Sequence, residues 1–85
     1  MPALDPVAFA QQLIRCPSVT PDSHGVMDVL EQELRNIGFQ TERPIFEGIE
    51  NLYARYGFAQ PNFCFAGHLD VVPAGDVTLW TVDPF

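Results

Sequence analysis

The chain has 85 residues, of which 47% are hydrophobic and 12% aromatic. This length allows one small domain, and this composition favours a packed core over disorder. Four basic residues stand against 11 acidic ones, which gives a net charge of −7. We expect neither nucleic acid nor an anionic membrane as a partner, because both require clustered positive charge. No apolar run approaches the ~18 residues of a membrane span.

The first predicted helix begins at Asp5, whose carboxylate suits the N-cap position, and Pro6 suits the first turn. Apolar residues then recur at helical spacing. The helix is expected to end near Cys16, because the residue before Pro17 avoids the α conformation. The turn-rich residues 18–25 are predicted to be a linker between helices.

The second predicted helix runs from Ser23 or Gly25 to Ile37 and has one apolar stripe. Gly38 suits the left-handed position that ends a helix. Glu31 lies on the polar side and is expected to be solvated.

Three strands are predicted after the second helix. Residues 40–46 alternate weakly, residues 47–50 are expected to form a loop, and residues 51–56 form the next strand. Residues 62–66 are almost entirely apolar, which predicts a strand buried on both faces with Cys64 in the core. The sequence therefore predicts an α/β fold in which two N-terminal helices pack on a mixed sheet, with residues 1–85 in one domain.

The strongest candidate site follows the last predicted strand. His68 and Asp70 are two residues apart, so in extended backbone their side chains point to the same side. One imidazole nitrogen could bind a metal ion while the carboxylate holds the other nitrogen or positions a water molecule. The alternative is structural: a histidine at a strand end and an aspartate in an Asx turn.

Other candidate residues favour ordinary roles. His24 is expected to be a surface histidine. Cys16 and Cys64 lie in unrelated contexts, which favours reduced thiols in a cytoplasmic protein, with a buried structural pair as the alternative. The opening nine residues carry an acid and no base, so we expect no signal peptide.

The run FAGHLDVVPAGD, followed by Trp80 and then Pro84-Phe85, resembles the first metal-binding motif of the dinuclear zinc aminoacylase and carboxypeptidase G type metallopeptidases. Upstream, the segments LIRCPSVTPD and NLYARYG, with a helix ending in GF between them, narrow the resemblance to one deacylase branch of that family. The similarity runs in order from about Asp5 to Phe85, and only the combination of motifs is specific.

The resemblance implies a role for each matching position. His68 matches a histidine that binds one of two zinc ions, for which cobalt can substitute. Asp70 matches an active-site aspartate that clamps this histidine and tunes the metal site. Pro73 and Gly75 match positions that shape the loop. The family acts on small N-acyl amino acids and forms homodimers through a second domain.

A two-zinc hydrolase also needs a bridging carboxylate, further ligands and a general base. In the family these residues come later than Phe85. We therefore expect an incomplete N-terminal portion of a zinc-peptidase-like catalytic domain that is inactive alone. Two alternatives stay open: a sibling activity such as acetylornithine deacetylation, and a small metal-free α/β interaction module.

Overall fold

The computed structural model describes residues 4–85. We predicted no signal peptide in the opening nine residues, and the first three of these lie outside the described range. Helix α1 spans Pro6–Ile14, and the Asp5 carboxylate accepts a hydrogen bond of 3.0 Å from the Val7 backbone N–H. The cap satisfies one of the amide groups that the first turn leaves without a helical partner. The predicted start and end of this helix are confirmed.

Helix α2 spans Val26–Asn36 and follows Gly25, which has φ +87°. Gly38 has φ +102°, and the next amide donates to the Leu34 carbonyl at 2.9 Å. This arrangement satisfies a carbonyl group of the last turn and confirms the predicted glycine stop. Helix α2 packs against α1 and against the first strand.

The strands form one long antiparallel ribbon in two parts. Strand β1 (Gln40–Glu42) pairs with β4 (Tyr53–Arg55), and β2 (Ile45–Phe46) pairs with β3 (Ile49–Glu50). Between the two parts, the Asn51 N–H donates to the Pro44 carbonyl at 2.9 Å. The predicted mixed sheet is wrong for residues 4–85, where both strand pairs are antiparallel.

Two predicted boundaries in this ribbon are also wrong. Residues 40–46 are not one strand, because pairing is interrupted at residues 43–44, where Pro44 has no N–H to donate. Residues 47–50 are not simply a loop. Glu47 and Gly48 have φ values of +51° and +79°, which suit a two-residue hairpin turn, and the residues that follow them form β3.

The predicted buried strand at residues 62–66 is not formed. Phe63 is 85% exposed and Phe65 is 90% exposed, and Cys64 is exposed as well. The two phenylalanine rings contact each other edge to face, with centroids 5.0 Å apart. A strand requires a neighbouring strand for its backbone groups, and within the described part of the chain nothing pairs with this segment.

The core of the described residues is small. Val26, at the start of α2, is 2% exposed and is the buried apolar side chain, and Ser18 is the buried polar one. Many larger apolar side chains lie at the surface. None of the helices formed by residues 4–85 has both the length and the apolar character needed to cross a bilayer.

Candidate functional site: a histidine–aspartate pair held by the segment after helix α1

Residues 18–20 lie against residues 69–71, and this pairing builds the site. The buried Ser18 hydroxyl donates to the Leu69 carbonyl at 2.7 Å. The Val71 N–H donates to the Ser18 carbonyl at 3.0 Å, and the Thr20 N–H donates to the Val71 carbonyl at 3.2 Å, as in a short parallel bridge. The segment predicted to be only a linker is therefore a structural support for the His68–Asp70 segment.

The imidazole of His68 contacts Asp70 twice. Its Nδ1 atom lies 3.0 Å from Oδ1 of the carboxylate and 3.0 Å from the backbone carbonyl oxygen of the same residue. Both partners are acceptors, so Nδ1 must carry the proton in the neutral ring, which leaves the lone pair on Nε2. The His68 side chain is 82% exposed, so this lone pair is accessible to a ligand.

The carboxylate of Asp70 is held on its other side by Thr20. The Thr20 hydroxyl donates to Oδ2 at 2.5 Å, while Oδ1 faces His68. The hydroxyl of Thr20 is the main reason that the pKa of Asp70 lies below its usual value; desolvation opposes this effect and the hydrogen bond from His68 adds to it. Asp70 is therefore an ionised group with each oxygen atom engaged.

The loop after Asp70 has its own local order. Gly75 has φ +76°, which glycine adopts without strain. The Trp80 indole N–H donates to the Ala74 carbonyl at 3.0 Å, and Asp76 caps a 3-10 helix at Val77–Leu79. Between this loop and α1 lies an open cleft of about 560 Å³ with a mainly apolar lining that includes Leu13, His68 and Trp80. The pair thus lies beside a cleft of the size that small ligands occupy.

The donor set fits one part of a zinc site. A zinc site in a protein requires three or four protein ligands, and in residues 4–85 no group of three His, Cys, Asp or Glu side chains could hold a metal ion. His68 offers one accessible nitrogen atom, and Asp70 is arranged to orient the ring. The residues therefore fit one ligand and its supporting carboxylate, and a complete site would need ligands from outside this chain.

The remaining candidates lie apart from this pair. His24 is exposed, and its Nε2 lies 3.7 Å from the carboxylate of Asp22, two residues before it. The thiols of Cys16 and Cys64 are both free, and Cys64 is exposed, so its predicted place in the core is wrong. No local pattern in the sequence signals the role of Thr20, because its contact with Asp70 spans 50 residues.

No protein-family model matches the chain. Among curated proteins, the chain is similar to enzymes that are named for the removal of a succinyl group. They are succinyl-diaminopimelate desuccinylases, among them those of Rhodospirillum centenum (56% identical), Phenylobacterium zucineum (57%) and Caulobacter vibrioides (58%), each match covering 98% of this chain. The chain spans 22–23% of the length of these relatives. The resemblance to a deacylase branch, stated from the sequence motifs, agrees with the printed names of these relatives, which are desuccinylases.

Proposed function

We propose that this chain contributes one metal ligand and its orienting carboxylate to the active site of a metal-dependent amide hydrolase. The observation that supports this most directly is the contact between His68 and Asp70, which fixes the ring tautomer and leaves Nε2 accessible. Carboxylate–histidine pairs of this kind are typical of protein zinc sites. An Asx turn alone would not require the imidazole to be held in this way.

His68 is the residue that would hold the metal, and Asp70 is the residue that would hold His68. When bound, zinc, or cobalt in its place, polarises a carbonyl group and lowers the pKa of a water molecule. The ionised Asp70 stabilises the Nδ1–H tautomer and so keeps Nε2 as a ligand atom. In this proposal, groups outside residues 1–85 supply the ligands of the second metal ion, the bridging carboxylate and the general base.

The proposed substrate is N-succinyl-LL-diaminopimelate, which hydrolysis of the amide bond converts into succinate and LL-diaminopimelate for lysine and diaminopimelate biosynthesis. The names of the relatives support this choice over acetylornithine deacetylation. We propose further that the complete protein is a cytoplasmic homodimer that binds neither nucleic acid nor membranes. The acidic composition supports the exclusion of these two partners, the free thiols support the cytoplasm, and the homodimer follows from the family resemblance alone.

The test uses the full-length protein that contains this chain. Succinate release from N-succinyl-diaminopimelate and acetate release from N-acetylornithine are measured after chelation and after zinc is restored. We expect zinc-dependent turnover of the succinyl substrate and far slower turnover of the acetyl one. Preference for N-acetylornithine would overturn the substrate assignment. Absence of both zinc binding and turnover would favour a metal-free interaction module.

A further inference from the structure

We infer that Thr20 is a positioning residue: its hydroxyl holds the Asp70 carboxylate in the orientation that fixes the ring of His68. This inference rests on the proposed function, because its consequence for catalysis requires His68 to be a metal ligand. It assigns a functional role to a segment whose sequence indicates only a turn between two helices.

The hydrogen-bond geometry shows what the Thr20 hydroxyl does. Its oxygen atom lies 2.5 Å from Oδ2 of Asp70 and 3.5 Å from the Val71 carbonyl oxygen. A threonine hydroxyl has one proton to donate, and the shorter contact to a charged acceptor takes it. The carboxylate is then held at both oxygen atoms, with Oδ1 left to face Nδ1 of His68.

The backbone keeps the hydroxyl in place. The Thr20 N–H donates to the Val71 carbonyl. Ser18 is hydrogen-bonded to Leu69 and to Val71, the two neighbours of Asp70. Thr20 and Asp70 are thus attached to the same short parallel bridge. By contrast, the His68 side chain is largely exposed and has no other hydrogen bond among the described residues. Its orientation therefore depends on two acceptors of Asp70, the backbone carbonyl and the carboxylate, and Thr20 holds the second of these.

Three variants of the full-length protein separate this role from a structural one. Thr20→Val keeps the shape of the side chain and removes the donor, and Thr20→Ser keeps the donor. Thr81→Val is the matched control, because Thr81 is exposed and outside the pair. The first readout is the tautomer of His68, measured by NMR on metal-free protein with isotope-labelled histidine at about pH 8, which is above the range in which histidine in model peptides titrates. The second is zinc affinity, and the third is kcat beside KM.

We expect the Nδ1–H tautomer of His68 to dominate in three proteins: the wild type, Thr20→Ser and Thr81→Val. In Thr20→Val we expect a mixture of tautomers, about tenfold weaker zinc binding, and a lower kcat with little change in KM. Tenfold is the lower end of the loss seen when a partner of a metal-binding histidine is removed. A wild-type tautomer ratio together with wild-type zinc affinity in Thr20→Val would overturn the inference.

The tautomer measurement needs neither zinc nor turnover, so it tests Thr20 even if the proposed hydrolase activity fails. If Thr20→Val does not fold, the wild type supplies the test. A Thr20 hydroxyl proton that exchanges slowly with water and couples to the Asp70 carboxylate carbon supports the inference. A rapidly exchanging hydroxyl proton without that coupling contradicts it.

Discussion

The Nδ1 atom of His68 and the Oδ1 atom of Asp70 are 3.0 Å apart, in a chain where the two residues are separated only by Leu69. The contact predicts different consequences for two substitutions in the full-length protein. His68→Ala removes a ligand atom, so we expect the loss of one zinc ion and of nearly all turnover. Metal analysis beside kcat measures both effects.

Asp70→Asn keeps the size of the side chain but removes its charge. We expect it to retain much of the metal while kcat falls by about 10–100-fold, the usual effect of losing a carboxylate that supports a metal-binding histidine. His24→Ala is the matched control and should change neither quantity. Unchanged zinc content in His68→Ala would contradict the assignment of His68 as a metal ligand. If both site variants lose stability equally and their zinc content does not change, the pair would be a structural turn and not part of a metal site.

The 85-residue chain alone should show no amide hydrolysis with added zinc or cobalt. One accessible imidazole cannot complete a zinc site, and no third ligand is close to it among residues 4–85. The measurement is succinate release by chain purified in the presence of a chelator and then supplied with metal. Turnover at any rate above that of the metal in buffer would show that the chain carries a complete site.

The features that the sequence predicted correctly depend on short-range interactions. The cap at Asp5 and the glycine stop at Gly38 act within a few residues of the helix ends that they define. The His68–Asp70 contact follows in the same way from a spacing of two in extended backbone.

The features that the sequence did not predict depend on distant partners. Thr20 reaches Asp70 across 50 residues. An apolar run such as residues 62–66 predicts a strand only if another strand lies beside it, which no local pattern can show. The arginine at position 43 is another example, since it joins acidic residues from α2 and from β3.

Arg43 links the helical and β parts of the structure. Its guanidinium contacts the carboxylates of Asp28 and Glu31 in α2 and of Glu50 in β3, and these contacts raise its pKa. Arg43→Met would leave the carboxylates of Asp28 and Glu50 without their cation and Glu31 with Arg35 alone. We therefore expect the free energy of unfolding to fall by about 2 kcal/mol. Chemical denaturation measures the change, and Arg15→Met is the control, because no ion pair involves Arg15 in the described range. Equal stability of the two variants would refute a linking role for Arg43.

Glu31 makes this network sensitive to acid. Its side chain is only 14% exposed, which corrects the expectation of a solvated residue. The hydroxyl of Thr41 is the main cause that lowers its pKa from 4.5, and Arg43 and Arg35 also contribute. Because the folded-state pKa is lowered, the ionised group stabilises the fold fully above about pH 4.5, and this stability is lost as the pH falls through the folded-state pKa.

Thermal unfolding at a series of pH values tests this linkage. Glu31→Gln should be less stable than the wild type at neutral pH, and the difference should shrink on acidification. The control Glu47→Gln alters an exposed carboxylate in the hairpin turn and should follow the wild-type curve. A Glu31→Gln curve parallel to that of the wild type from neutral pH to below pH 4 would be inconsistent with the lowered pKa.

The exposure of residues 62–66 predicts that their apolar side chains contribute little to the stability of the 85-residue chain. Phe63 and Phe65 contact each other at the surface, so the double substitution to serine should change the free energy of unfolding by less than about 0.5 kcal/mol. It should also reduce aggregation, because exposed apolar patches promote association. Val26→Ala, which trims a buried side chain, should cost about 2 kcal/mol. A loss in the double variant as large as that in Val26→Ala would show that residues 62–66 are buried in solution, as their sequence alone predicts.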